Sequence, residues 1–221
     1  MLKTLFMGLI NNKNIFFWNI KRWEDFEKKI EHYMIDNIWM VKIWKQYISD
    51  LKYLKSIVTN KLNDQEYIIN DKWKELNNSF ISQPFWSQSY PDFLIFTKDK
   101  IIPLEIKMAT NKDNIIWNSW FPVNNGIYIY LNINKQDITF FRWSDILTNN
   151  ERRIMIDFFE GLKGLEKKVN KELEIHDVNG TWFQVYIRKA FLQKKTNNNI
   201  ILSFIDNPKR KQREDNVLSM F

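Results

Sequence analysis

Between residues 22 and 51 apolar side chains recur at Trp23, Phe26, Ile30, Tyr33, Met34, Ile38, Val41 and Ile48. That three-and-four spacing predicts one long helix, or two, with a single buried face. A second helix is predicted over 64–80, with Tyr67, Ile68, Trp73, Leu76 and Phe80 as its apolar positions and Gln83-Pro84 ending it. The pattern then turns to strands. Residues 92–96 and 101–107 are β-branched and aromatic runs separated by the polar turn Thr97-Lys98-Asp99-Lys100, which predicts a hairpin. Further strands are predicted at 126–131 and 138–143. Helical spacing returns over 151–174 through Ile154, Phe158, Leu162, Leu165, Val169 and Leu173, weakened by Gly161 and Gly164, which mark either close packing or a break. Two last strands are predicted at 181–189 and 200–205, ahead of a polar tail, 207–221, that carries Lys209-Arg210-Lys211-Gln212-Arg213. This order predicts an α/β (α+β) fold in which a mixed central sheet is flanked by helices. The whole chain, 1–221, reads as one domain: a mainly helical part over 1–80, a sheet core over 85–145 and the tail.

Composition narrows what such a domain can do. With 221 residues, 17 Phe, 10 Trp and 8 Tyr, the chain has enough apolar surface for a packed core. Five Gly argue against glycine-rich nucleotide loops. The absence of Cys removes disulfides, thiolate-bound zinc and a thiol nucleophile, and two His, His32 and His176, are too few for a multi-histidine metal site. The apolar stretch 5–10 is too short to span a membrane, and the uncharged run 114–134 is interrupted by Asn, Pro122 and Gly126. A cytoplasmic protein without membrane contact is expected. A net charge of +7 suits a polyanionic partner. Lys, Asn and Ile are also what AT-rich coding favours, so basicity alone assigns no partner.

The chemistry is concentrated in Pro91-Asp92-Phe93-Leu94-Ile95-Phe96 and, after the turn, Glu105-Ile106-Lys107. Alternation along a strand puts Glu105 and Lys107 on one face and Leu104 and Ile106 on the other, against the core. If the two strands pair, Asp92 lies near Glu105. Two carboxylates at a strand end make a hard-oxygen site for Mg²⁺, which takes one or two carboxylates and keeps waters for a phosphate substrate. A metal there would acidify an attacking water and offset charge on a pentacovalent phosphate, with Lys107 positioning the water or the anion. These residue types fit phosphodiester hydrolysis.

Pro-Asp, a strand and turn, then Glu-x-Lys resembles the PD-(D/E)xK nuclease superfamily, and its type II restriction endonuclease branch in particular. The segment Trp117-Asn118-Ser119, Pro122 and Ile127-Tyr128-Ile129-Tyr130 is similar to the block that follows the active-site strand in several such enzymes, so the likeness covers about 89–132. The resemblance implies a restriction-endonuclease-like core, Asp92 and Glu105 as metal ligands together with the main-chain carbonyl of Ile106, and Lys107 as a catalytic residue beside Asp92 and Glu105. It also implies Mg²⁺ as cofactor, double-stranded DNA as substrate and a homodimer acting on a palindromic site. A helix carboxylate often joins the metal in this superfamily, for which Glu66 or Glu75 is available. Asn111, Lys112, Asn118 and Asn125 lie just past the active strand, where DNA would pass, and Trp117 could stack on bases or pack the core. The alternatives are a structure-selective or repair nuclease of the junction-resolvase type, or a DNA-binding protein without catalysis.

Overall fold

In the computed structural model the described residues are 1–59, 67–86, 89–110, 115, 117, 125–176, 180–184 and 203–221. The chain opens with three helices, α1 (Leu2–Asn11), α2 (Lys13–Phe17) and α3 (Trp23–Asp36). A short strand β1 (Val41–Lys42), helix α4 (Leu51–Val58) and strands β2 (Ile68–Ile69) and β3 (Ser79–Ser82) follow. Then come the hairpin β4 (Phe93–Phe96) and β5 (Lys100–Ala109), the pair β6 (Ile127–Asn132) and β7 (Asp137–Arg142), and helices α5 (Asn149–His176) and α6 (Arg210–Leu218). The seven strands form one mixed sheet in the order β1-β3-β4-β5-β6-β7, with β2 added to the start of β5. β3-β4-β5 is antiparallel, β5 and β6 run parallel, and β7 returns antiparallel to β6.

Helices cover both faces of the sheet, which is why β4 and β6 are apolar at nearly every position rather than alternating. One face carries Phe93, Ile95, Leu104, Ile106, Ile127 and Ile129 against Phe6, Phe16, Phe26 and Ile30 of α1–α3. The other divides in two. Leu94, Phe96 and Ile101 lie under Leu54 and Val58 of α4 and under Trp73, while Tyr128, Tyr130 and Phe141 lie under Trp117, Trp143 and Phe204.

The hairpin and the pair that became β6 and β7 lie where the pattern predicts them. The long helix over 22–51 does not persist: α3 ends at Asp36 and Trp39 turns left-handed, with φ of 58°. The N–H groups of Val41 and Ile43 then donate to the carbonyls of Asn78 (3.0 Å) and Phe80 (2.9 Å), so pairing with the sheet edge overrides helical spacing. No α-helix forms over 67–80. Asn70 is the local reason: its side chain accepts from Trp73 N–H (3.1 Å) and donates to the carbonyls of Trp73 (3.1 Å) and Thr97 (2.7 Å), bonds that compete with a helix. The earlier part of that predicted helix, 60–66, lies outside the described residues.

α5 runs unbroken through Gly161 and Gly164, and a Cβ at either would meet nothing within 4 Å, so these glycines mark neither a break nor close packing. Its predicted apolar stripe is largely uncovered. Ile154, Phe158 and Leu165 are exposed, whereas Ile156 is buried. Residues 181–184 form no strand, 203–205 bend with Phe204 in the core, and 185–202 lie outside the described residues. Among the described residues no helix is long and apolar enough to cross a membrane.

The predicted polar tail is the most instructive departure. It forms α6, whose Val217 is fully buried. Arg210 is clamped to β7: Nη1 lies 2.5 Å from Asp137 Oδ2, Nη2 donates to the Ile138 carbonyl (2.7 Å) and Nε to Glu214 (2.8 Å). Glu214 in turn accepts from Thr139 Oγ1 (2.7 Å), and Lys13 of α2 pairs with Asp137 from the other side. Arg210 is therefore a structural cation rather than a free phosphate contact. Burial opposes the charge on Asp137, but the hydrogen bonds from Arg210 and Lys13 outweigh it and hold this carboxyl below its ordinary range.

Because that folded pKa is depressed, the stabilisation is complete above the unfolded aspartate value of about 4 and disappears as pH falls through the lower folded value. Asp137→Ala is expected to destabilise the protein by about 2 kcal/mol at neutral pH. Urea unfolding of both proteins checks this, and the gap should close on acidification; a gap that persists in strong acid would contradict the assignment.

Candidate active site

The hairpin partners separate at one point. Pairing of β4 with β5 ends at Phe93 opposite Leu104, while β5 continues to Ala109 alongside β6. Asp92 sits at that fork. Its carbonyl accepts from Gln83 N–H (2.6 Å), which ties its backbone to the β3 side, and its side-chain Oδ2 accepts from Ile106 N–H at 2.6 Å. The carboxylate thus takes the place of the next ladder carbonyl. N–H and C=O of one strand residue project to the same side, so the Ile106 carbonyl also faces the fork.

Glu105 and Lys107 lie on the face opposite Leu104 and Ile106, as strand alternation requires. Lys107 Nζ is 2.5 Å from Glu105 Oε1. The other oxygen, Oε2, is buried and has no hydrogen-bond partner among the described residues. Burial, and then the negative charge of Glu105, push the Asp92 carboxyl well above its ordinary range, against the opposing effects of Ile106 N–H and Lys107. A third acid completes the crowding. Glu27 of α3, 7% exposed, receives Gln83 Nε2 at 3.2 and 3.4 Å, and burial pushes its carboxyl above the ordinary range while the neighbouring Asp92 interacts with it electrostatically.

The sequence reading missed Glu27, yet a signal exists. With Ile30 and Met34 it falls at i, i+3 and i+7 on the buried stripe of α3, where an acid needs a reason to be. Of the two helix carboxylates put forward instead, Glu75 is exposed on the 3₁₀ turn Lys74–Leu76, because the predicted helix did not form, and Glu66 lies outside the described residues.

Among the described residues no group of three or more acidic or histidine side chains forms a ready multi-ligand metal centre. The oxygen set nevertheless fits Mg²⁺, which needs one or two carboxylates and retains waters. Asp92, the unpartnered Glu105 Oε2 and the Ile106 carbonyl would hold the ion, with Glu27 beside them. Crowded, desolvated carboxylates are unfavourable unless a cation joins them.

The surrounding wall is aromatic. Tyr128 is the register partner of Glu105 and Tyr130 that of Lys107. Tyr90 stacks on Tyr128 with centroids 6.4 Å apart. Its hydroxyl is buried without a partner among the described residues, and a Cβ on Gly126 would come within 2.5 Å of it, so a side chain there would displace the Tyr90 ring. Burial first, then the charges of Tyr128, Glu105 and Asp92, keep that phenol protonated.

The candidate DNA-contacting residues fare differently. Trp117 is 4% exposed, packs edge-on against Tyr128 (5.2 Å) and lies 5.9 Å from Lys107 Nζ, so it is a core residue behind the lysine and not a surface that bases could reach. Asn125 is 3% exposed, with both amide atoms buried and unpaired, and so does not present itself as a base reader. Asn111, Lys112 and Asn118 lie outside the described residues.

Comparison with family models, with curated proteins and with solved structures finds no match, so the functional reading stands on this geometry. In the presence of a chelator, Asp92→Asn preserves an acceptor for Ile106 N–H and removes one of the crowded charges. It is expected to raise the thermal midpoint by about 3 °C, equivalent to about 1 kcal/mol; a lower midpoint by calorimetry would rule out like-charge crowding as the dominant strain.

Proposed function

We propose that the protein is a Mg²⁺-dependent DNA endonuclease of the PD-(D/E)xK type, a site-specific restriction enzyme that cuts double-stranded DNA as a homodimer. The observation that carries this reading is the fork between β4 and β5. It gathers Asp92, Glu105 and Lys107 around a buried carboxylate oxygen without a partner. The mixed sheet between helix layers, with the parallel step from β5 to β6, supports a restriction-endonuclease-like core.

When bound, Mg²⁺ supplies Lewis-acid stabilisation of charge on the phosphate and acidifies a water. The chain's own residues do the rest. Asp92 and Glu105 present oxygens on one side of the fork, and the Ile106 amide fixes the orientation of Asp92. Lys107, held by Glu105, places its ammonium where it can orient a water or donate to a phosphate oxygen. Gln83 fixes Glu27 beside Asp92, where Glu27 can hold or release a proton. A structure-selective or repair nuclease of the junction-resolvase type is the second reading. Exposed tryptophans interleaved with lysines, next to the loop that leads into Asp92, favour it.

Purified protein with plasmid and Mg²⁺ should give discrete fragments, and Asp92→Ala and Lys107→Ala should each slow cleavage by about 100-fold or more. Cleavage confined to branched substrates would favour the second reading, and DNA binding with no cutting by the wild type would exclude a nuclease.

A further inference from the structure

Three aromatic side chains stand in solvent near the β1 edge of the sheet: Trp44 (61% exposed), Tyr47 (70%) and Trp86 (69%). Single exposed rings need no explanation, but here cations lie over the ring faces. Lys45 Nζ is 4.7 Å from the Trp86 centroid and Lys42 Nζ is 5.2 Å from that of Trp44. Lys42 also pairs with Glu31, whereas Lys45 has no carboxylate partner among the described residues. Local charge is one-sided. Residues 39–59 hold Lys42, Lys45, Lys52 and Lys55 against one acid, Asp50, which is already paired with Lys72 at 2.9 Å.

Position gives this patch its meaning. Trp86 belongs to the segment between β3 and β4, which also carries Gln83, bonded to Glu27, then Tyr90 and Asp92. Trp86 and Asp92 are six positions apart in the chain, so their Cα atoms are at most about 22 Å apart. We infer that Trp44 and Trp86, with Lys45 between them, form a binding platform for single-stranded nucleic acid, on which unpaired bases stack while the lysine engages phosphate.

Two arguments select this occupant. Base faces inside a duplex are already stacked, so an exposed indole gains only from a base that is unpaired. Protein interfaces are depleted in lysine, whereas these rings carry lysines on their faces. The choice of a nucleic-acid partner rests on the nuclease reading of the fork and, within it, the platform deepens the structure-selective second reading: the preferred substrate carries an unpaired segment beside the scissile bond.

The test measures anisotropy of a labelled oligothymidylate, and of a labelled duplex of the same length, with the full chain in chelator, where no cleavage occurs. The wild type should bind the single strand more tightly than the duplex and show quenched tryptophan emission. Trp44→Ala and Trp86→Ala should each weaken single-strand binding by about tenfold, with unchanged circular dichroism because both rings are exposed. Lys45→Ala should reduce the slope of log K against log salt by about 0.7. Equal affinity for duplex and single strand, or tryptophan variants that bind like wild type, would overturn the platform. Failure of the nuclease reading would look different, as absent Mg²⁺-dependent cleavage with single-strand binding intact.

Discussion

The hydrogen bond from Ile106 N–H to the Asp92 carboxylate is the constraint on which the rest of the site depends. A strand that loses its neighbour part-way leaves backbone groups that must find another partner. Here the carboxylate satisfies one of them, so β5 can continue to Ala109 without β4 and the sheet can open without exposing a raw edge. The same bond fixes the orientation of Asp92 and brings it beside Glu105. One side chain therefore closes the ladder and builds the acidic end of the fork.

That arrangement carries an electrostatic liability. Three carboxyls, Glu27, Asp92 and Glu105, lie near one another, burial disfavours the charge of Glu27 and Asp92, and Lys107 is the one cation bonded to them among the described residues. A fold that needed only stability would gain by replacing one of these acids with an apolar residue of similar size. Buried, like-charged groups held together against their own preference are the usual mark of a functional site. The aromatic wall of Tyr90, Tyr128 and Trp117 lowers local polarity and so strengthens whatever interactions a bound cation and phosphate would make.

Away from the fork, stability comes from closing the other end of the sheet. β7 is an edge strand, and α6 covers it through Arg210, Asp137, Glu214 and Thr139, with Lys13 joining α2 to the same cluster. Arg210 belongs to the basic run Lys209-Arg210-Lys211-Gln212-Arg213 of the sequence, yet the folded chain spends it on its own carboxylates. Beside the opposite edge, near β1, Lys45 and the exposed tryptophans form a separate basic and aromatic surface.

Local periodicity by itself determined the hairpin, the β6–β7 pair, the α/β class and the shared face of Glu105 and Lys107, because all of these follow from side-chain alternation over a few residues. The Pro91-Asp92 and Glu105-Ile106-Lys107 motif carried the resemblance on which Asp92, Glu105 and Lys107 were singled out. What it could not determine was decided by partners distant in the chain. Asn70 and the sheet edge dissolved two predicted helical stretches, Val217 and Arg210 turned a polar tail into a packed helix, and the burial of Trp117 and Asn125 withdrew them from any surface. Glu27 is the sharpest case. Its place on the apolar stripe of α3 was visible in the sequence, but only the packing of α3 against the sheet brought it to Asp92, since a buried acid acquires its role from the group it meets.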